Sequence, residues 1–422
     1  MALIAAALLV GSGAGGGMTP AGASGPVTRY ASPSGTASSS CPHSAPCDIV
    51  TAVNDAVAGD RVEIEPGTYG SAGAPITTEL TDVGGHGALD VYGEPGAPVP
   101  VIYSSASSGI FFFDGSDLSR IDLHSSGGEN GVADIGGVVD HVIVRSTGAL
   151  YGACGVFGTL RDSLCTTSGT DDPALEFQDS GTDQSAIVRG VTAEATGSGG
   201  IGLADEIDSA NTVNVTVTNS IIHGAGDDIA TIAASGGTAS VNLVHSDYRA
   251  TATSKTGLGT GVITGGATDI AAAPKFIHPA AGNYQEKAGS PTINAGATDP
   301  AAGTDLAGNP RTLGPAPDIG AYEFLQKPTT HALTITRKNA HTAHLTVRVN
   351  PEGLSTTVKL VATGGGKHVT SPTVSAGSGR TTSTVHLTLH GLSGHTGYKI
   401  HAVATNKAGH THSAKKSLTT KR

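Results

Sequence analysis

Apolar and polar positions alternate in short runs along most of this chain, and turn-forming residues close each run. Arg120-Ile121-Asp122-Leu123-His124, His141-Val142-Ile143-Val144-Arg145, Val213-Asn214-Val215-Thr216-Val217 and Val241-Asn242-Leu243-Val244 have period two. That period predicts strands with one face buried and one face out. A second set of runs opens at Gly87, Gly109, Gly131, Gly155, Ala174, Ile201 and Ile229, 19–28 residues apart. Self-similarity at this spacing predicts stacked coils, each carrying a strand of both kinds. No long stretch has helical periodicity, and the Leu spacing of leucine-rich repeats is absent. The expectation is an all-β solenoid.

Both ends of the stack are legible as well. Asp48-Ile49-Val50-Thr51-Ala52-Val53-Asn54-Asp55-Ala56-Val57 reads as a short helix, and a first strand follows, ending in Pro66-Gly67-Thr68-Tyr69. This order is similar to the N-terminal cap of many secreted β-helices. A cap is physically required, because an open strand stack exposes its core and its edges. Between residues 250 and 281 the pattern fades into Gly, Thr and Ala, which predicts a last coil and a surface loop. Residues 283–324 then contain Ser290-Pro291-Thr292-Ile293-Asn294-Ala295-Gly296, Asp305-Leu306-Ala307-Gly308-Asn309-Pro310-Arg311 and Pro317-Asp318-Ile319-Gly320-Ala321-Tyr322-Glu323. In this order the three motifs resemble the C-terminal signature of the choice-of-anchor Q proteins, which are secreted right-handed parallel β-helix proteins. The resemblance implies a right-handed parallel β-helix, a single-stranded solenoid, placed outside the cell, and leaves the activity open. Asp305, Arg311, Asp318 and Glu323 read as an Arg–carboxylate network that pins this Gly- and Pro-rich segment.

After Lys327-Pro328-Thr329-Thr330 the residues change character. The stretch Tyr398-Lys399-Ile400-His401-Ala402-Val403-Ala404-Thr405-Asn406-Lys407-Ala408-Gly409 resembles the most recognisable part of a fibronectin type III module, and its alternation suits a small β-sandwich. The expected division is a signal peptide at 1–25, the β-helix at 26–326, a linker at 327–330 and the sandwich at 331–422. The signal peptide rests on an apolar run at residues 3–10 and on Ala21-Gly22-Ala23 as a cleavage site. That run is too short to span a bilayer.

Composition sharpens this picture. With 61 Gly, no Trp and 4% aromatic residues, the chain suits strands broken by tight turns. Cys41 and Cys47 flank a Pro-rich loop, and Cys154 and Cys165 lie about half a coil apart, so two local disulfides are expected in an oxidising compartment. Neither pair has zinc-site spacing. The net charge of −11 hides a division, because residues 331–422 hold 12 of the 24 basic residues, 10 of the 17 His and 1 of the 35 acidic residues. The basic module is expected to meet an anionic cell-wall polymer and to release it in moderate salt. Opposite charges on the two parts also serve solubility alone. No nucleic acid partner and no membrane span are expected, and the chain is expected to be a monomer.

Candidate chemistry lies on the outer strand face. Aligning strands on Gly127, Gly148, Gly169 and Gly197 puts His124, Arg145, Thr166 and Glu194 in one outward column, with Leu123, Val144 and Ala193 inward and Asp122 alongside. Coils ~4.8 Å apart let such a column grip one sugar chain. A base, a cation and carboxylates can support β-elimination of a uronic acid, with Arg145 or His124 abstracting the proton and acids holding Ca²⁺ against the substrate carboxylate. His124, Arg145 and Glu194 are therefore the candidate catalytic residues of a polysaccharide lyase. Asp171, Asp172, Asp227 and Asp228 at coil-to-coil turns, with Glu129 in an equivalent turn, are candidate Ca²⁺ ligands. Two plainer accounts stand beside these: the outer face must be polar in any case, and Asp favours turns by bonding local backbone. Polygalacturonase-type glycosidases share the fold but carry an Asp pair before Gly-His-Gly. Here Gly85-His86-Gly87 precedes both Asp pairs, so that catalytic set does not transfer. The expected function is binding, and on one reading cleavage, of an acidic extracellular polysaccharide. The alternative is a non-catalytic adhesion protein with the β-helix as its binding face.

Overall fold

The structure is a computed structural model that describes residues 25–422 except 37, 39, 83–86, 107–110, 128–130, 149–150, 180, 256–258 and 300–302. Residues 1–24 of the expected leader, Gly85 and His86, the strand start at Gly109 and the turn acid Glu129 lie outside the described residues.

Two long sheets run the length of the stack, one 16-stranded and one 7-stranded among the described residues, with parallel pairing from coil to coil. This is a parallel β-helix. The 7-stranded sheet carries Thr68–Tyr69, Val101–Ser104, Asp122–Ser125, Ile143–Ser146, Leu164–Thr167, Thr192–Ala195 and Ile221–Gly224 in that spatial order. Alternation sends Leu123, Val144, Cys165, Ala193 and Ile222 inward, where all are fully buried in one core that extends from Ala31 to Leu243. His124, Arg145, Thr166 and Glu194, which follow the first four of these residues, point to the opposite face of the sheet.

A helix at Ile49–Asn54 buries Ile49, Ala52 and Val53 in the same core, and Asp48 caps it by accepting the Thr51 N–H at 2.9 Å. It is shorter than the expected run to Val57. The chain tightens after Asn54, where Ala56 N–H bonds the Val53 carbonyl at 3.1 Å.

Cys41–Cys47 and Cys154–Cys165 are both disulfides. The second joins the strand Cys154–Arg161 of the larger sheet to Leu164–Thr167 of the smaller one, across a sequence separation of 11. A double Cys154→Ala, Cys165→Ala chain is expected to lose about 2–3 kcal/mol, read as a lower urea midpoint.

A buried carboxyl interrupts the apolar core. Asp205 is paired with Phe177 and Thr231 in the sheet and all three are fully buried. Burial pushes its carboxyl up to about 8. The folded chain therefore keeps a proton that the unfolded chain has released, and stability falls as pH rises from about 4 to about 8. Asp205→Asn is expected to flatten this slope and to raise Tm at pH 8, with the smallest effect near pH 4.

The C-terminal part forms two antiparallel sheets around a separate core that includes Leu345, Val347, Leu360, Leu387 and Ile400. Its first strand, Thr329–Lys338, begins inside the stretch expected to be linker. Lys407 Nζ reaches Asn309 Oδ1 at 2.7 Å, and Arg380 donates to the carbonyls of Thr312 and Gly314, so basic side chains of this part meet the closing segment. Among the described residues no helix is long and apolar enough to cross a membrane.

In the closing segment the buried acids pin backbone. Asp305 accepts the N–H groups of Ala307, Asn309 and Glu323, and Asp318 accepts that of Asn294 at 2.6 Å. Arg311 binds Asp162 of the coils at 2.7 Å and lies 3.6 Å from Glu323, whose carboxyl burial pushes up to about 8. Asp162 is thus the main counter-charge of Arg311.

Candidate functional site

The strand register brings one residue of each coil into a single column on the outer face of the smaller sheet. Tyr103 pairs with His124, His124 with Arg145, Arg145 with Thr166, Thr166 with Glu194, and Glu194 with His223. His124, Arg145 and Glu194 thus share one face. The column forms the floor of a cavity of about 890 Å³. Sequence reasoning missed both ends of the column. His223 precedes Gly226 by the same three residues that separate the other column members from their Gly, so the signal was present; Tyr103 precedes Ala106 and lacks it.

One wall of the cavity comes from outside the coils. Phe276–His278 pairs antiparallel with Asn283–Glu286, which brings Phe276, Pro279 and Tyr284 over the column. Phe276 and Tyr284 pack edge to face at 5.1 Å. Burial, with Glu194 nearby, pushes the Tyr284 hydroxyl up to about 12. At the turn between these strands Gly282 has φ +73°, and a Cβ there would stand 3.1 Å from Arg145 Nε. Glycine lets the wall approach the guanidinium closely.

His124 lies flat against Tyr103, ring centroids 4.7 Å apart at 23°. Its Nε2 is 3.4 Å from Asp122 Oδ1, which also pairs with Arg145. Burial, reinforced by the Arg145 charge, outweighs Asp122 and holds the imidazole below its ordinary value, so His124 is neutral at pH 7. Nε2 is the ring nitrogen turned to Asp122, which leaves Nδ1 as the candidate base. Burial raises Asp122, against the pull of Arg145 and His124.

Glu194 stands three coils from His124, ~14 Å along the sheet. These two cannot act on the same bond. The same spacing separates Asp122 from Glu194, beyond the ~6.5–9.5 Å that an inverting glycosidase pair requires. Glu194 has its own partners: His223 Nδ1 is 3.3 Å from Glu194 Oε1, and His223 Nε2 is 3.6 Å from Asp247 Oδ2. Burial pushes Asp247 up to about 6 and, further on, Glu286 up to about 7.

The four expected calcium ligands do not fit a shared site. Asp171 and Asp172 are separated from Asp227 and Asp228 by the whole coil that contains Gly199 and Gly200. The Asp228 carboxylate accepts the backbone N–H groups of Gly224, Arg249 and Ala250, the role that turn geometry assigns to Asp. The trio that does converge among the described residues is Asp140, His141 and Asp162, with ligand atoms within 4.8 Å of one another. Arg161 already pairs with Asp140 at 2.9 Å and Arg311 with Asp162 at 2.7 Å, so this cluster is charge-balanced without an ion.

No protein-family model matches this chain, and no curated protein matches it. Among solved structures, pectate lyase Pel9A is similar over 71% of this chain and 96% of its own, at 13% identity and a TM-score of 0.36. The sensor domain of the anti-sigma factor RsgI4 of Pseudobacteroides cellulosolvens is similar over 23% of this chain and 97% of its own, at 14% identity and a TM-score of 0.19. A myokine structure is similar over 23% of this chain and 100% of its own, at 16% identity and a TM-score of 0.19. Likeness at this level carries no information on activity.

Proposed function

We propose that this chain works outside the cell and that its groove binds and cleaves an acidic polysaccharide by β-elimination. The observation that carries the reading is the pairing of a neutral His124 with a cationic Arg145 on adjacent coils inside one cavity. Arg145 receives the uronate carboxylate, and Asp122 holds its guanidinium in place. Neutralising that carboxylate makes the α-proton of the uronate more acidic, and His124 Nδ1 removes it. The bond from the β-carbon to the glycosidic oxygen then breaks, a carbon–carbon double bond forms, and the leaving oxygen takes up a proton from water. Thr166 follows Arg145 in the column and also lines the cavity. Neither step requires Glu194 or a metal ion.

Two disulfides support the extracellular setting, as does the choice-of-anchor Q resemblance. The basic C-terminal sheets, similar in sequence to a fibronectin type III module, would hold the chain against anionic wall polymer.

The test is release of unsaturated product from a panel of polyuronates, followed by ultraviolet absorbance, alongside binding by affinity electrophoresis. Product formation that depends on His124 supports the lyase. Binding without product would replace it with the non-catalytic reading, for which the existing Asp122–Arg145 pair is the favouring observation. Absence of both removes the glycan reading.

A further inference from the structure

A second cavity, of about 470 Å³, shares no lining residue with the groove among the described residues. It lies where the closing segment meets a turn of the coils. Arg120, His141 and Asp162 hold that turn on three successive coils, each in the left-handed region with φ of +59°, +53° and +47°. Asp162 uses the position to bind Arg311 out of solvent. His141 uses it differently. Its Nδ1 is 2.5 Å from Asp140 Oδ1, and its Nε2 is 3.0 Å from the hydroxyl of Thr304 in the closing segment. Thr304 is exposed, and all three residues line the cavity. Asp140 is itself fixed, because Arg161 holds its other oxygen at 2.9 Å. Arg120 lines the same cavity. Its Nε and Nη2 donate to the carbonyls of Gly93, Glu94 and Ala97, while Nη1 has no hydrogen-bond partner among the described residues. Pro98, Val99 and Leu306 supply an apolar wall.

We propose that Asp140, His141 and Thr304 form an esterase site, separate from the groove, that hydrolyses carboxylic esters with a short acyl chain. A carboxylate that orients an imidazole, whose second nitrogen meets a hydroxyl, is the arrangement that activates an oxygen nucleophile. His141 Nε2 takes the Thr304 proton as Oγ attacks the acyl carbon, and Arg120 Nη1 is the donor at hand for the oxyanion. The bond to the alcohol oxygen breaks, and the alcohol leaves with the proton from His141. Water then attacks the acyl-threonine and gives a proton to His141; the acid is released and Thr304 regains its hydrogen. The apolar wall suits the acyl chain. His141 is held above its ordinary pKa: burial lowers it, but the hydrogen bond and charge of Asp140, with the Asp162 charge and the Asp305 backbone, outweigh burial. Arg161 and Arg311 reach the cluster only through Asp140 and Asp162. His141 is therefore the base on the alkaline side of neutrality.

The test is hydrolysis of p-nitrophenyl acetate by the full chain at about pH 8.5, with mass spectrometry of the chain after treatment with diisopropyl fluorophosphate. The phosphoryl adduct is expected on Thr304. Thr304→Val, nearly isosteric, is expected to lower hydrolysis at least about hundredfold and to abolish the adduct, while Thr304→Ser keeps both. Asp140 is a positioning residue: Asp140→Asn is expected to lower the rate and also to move the rising limb of the pH profile down toward pH 6.5, a shift that a purely structural role would not produce. Thermal melts establish that the variants fold. Hydrolysis that persists in Thr304→Val, an adduct on another residue, or no hydrolysis above the buffer rate overturns the site. Elimination from polyuronates is read by a different product, so failure here leaves the groove reading standing, and failure there leaves the esterase standing.

Discussion

Replacing Arg311 with Ala is expected to destabilise the chain by about 3–5 kcal/mol, the usual cost of breaking a buried ion pair from one side. Arg311 is 5% exposed and donates to Asp162 at 2.7 Å and to the carbonyls of Gly190 and Gly320 at 3.0 and 2.8 Å. Its removal leaves a buried carboxylate and two buried carbonyls without a donor. Asp162 belongs to the coils, so the loss also removes one of the ties between the closing segment and the stack, beside those of Asn219 to Ala297 and Thr192 to Ala321. Gly190 offers a second route to the same outcome: its φ is +62°, and an added Cβ would lie 1.8 Å from Arg311 Nη2. Gly190→Ala is expected to displace the guanidinium and to destabilise comparably. Urea unfolding checks both, and shifts below about 1 kcal/mol in both chains would show that the network does not hold the segment.

His124→Ala is expected to lower elimination by a factor of about 10²–10⁴ while polyuronate binding persists, because general base catalysis contributes about that much. The pH profile carries the sign of the perturbation. His124 is the base only when unprotonated, and burial with Arg145 beside it holds its pKa below the ordinary 6.5. Activity should therefore be level near pH 7 and decline on an acid limb that lies below pH 6.5. An acid limb above pH 7, or full activity in His124→Ala, would assign the base to another group. Arg145→Ala should instead weaken binding and rate together, since it acts on the carboxylate in the ground state and in the transition state.

Much of the site was legible from periodicity, because a solenoid converts sequence spacing into spatial register. His124, Arg145, Thr166 and Glu194 each precede a Gly by three residues, and parallel pairing places them on one line. The rest was not local. Asp122 was read as lying beside the column; its hold on Arg145 emerges only when adjacent coils stack, while its contact with His124 lies within one strand. The neutrality of His124 comes from burial and from a neighbouring charge, neither of which spacing encodes. The acidic turns looked like metal ligands because turns concentrate Asp; in the folded chain Asp228 satisfies backbone N–H groups instead.

The sequence by itself determined the stacked architecture, the inward and outward assignment of each strand, both cysteine pairs and the line of His124, Arg145 and Glu194. All of these follow from period two within strands and a recurring coil length, which are properties of adjacent residues. Only the tertiary structure decided that Phe276, Gly282 and Tyr284 fold back to wall the column into a cavity, and that Glu194 faces His223, which in turn faces Asp247, instead of His124. Those contacts join segments distant along the chain, and the burial they impose sets which groups are charged.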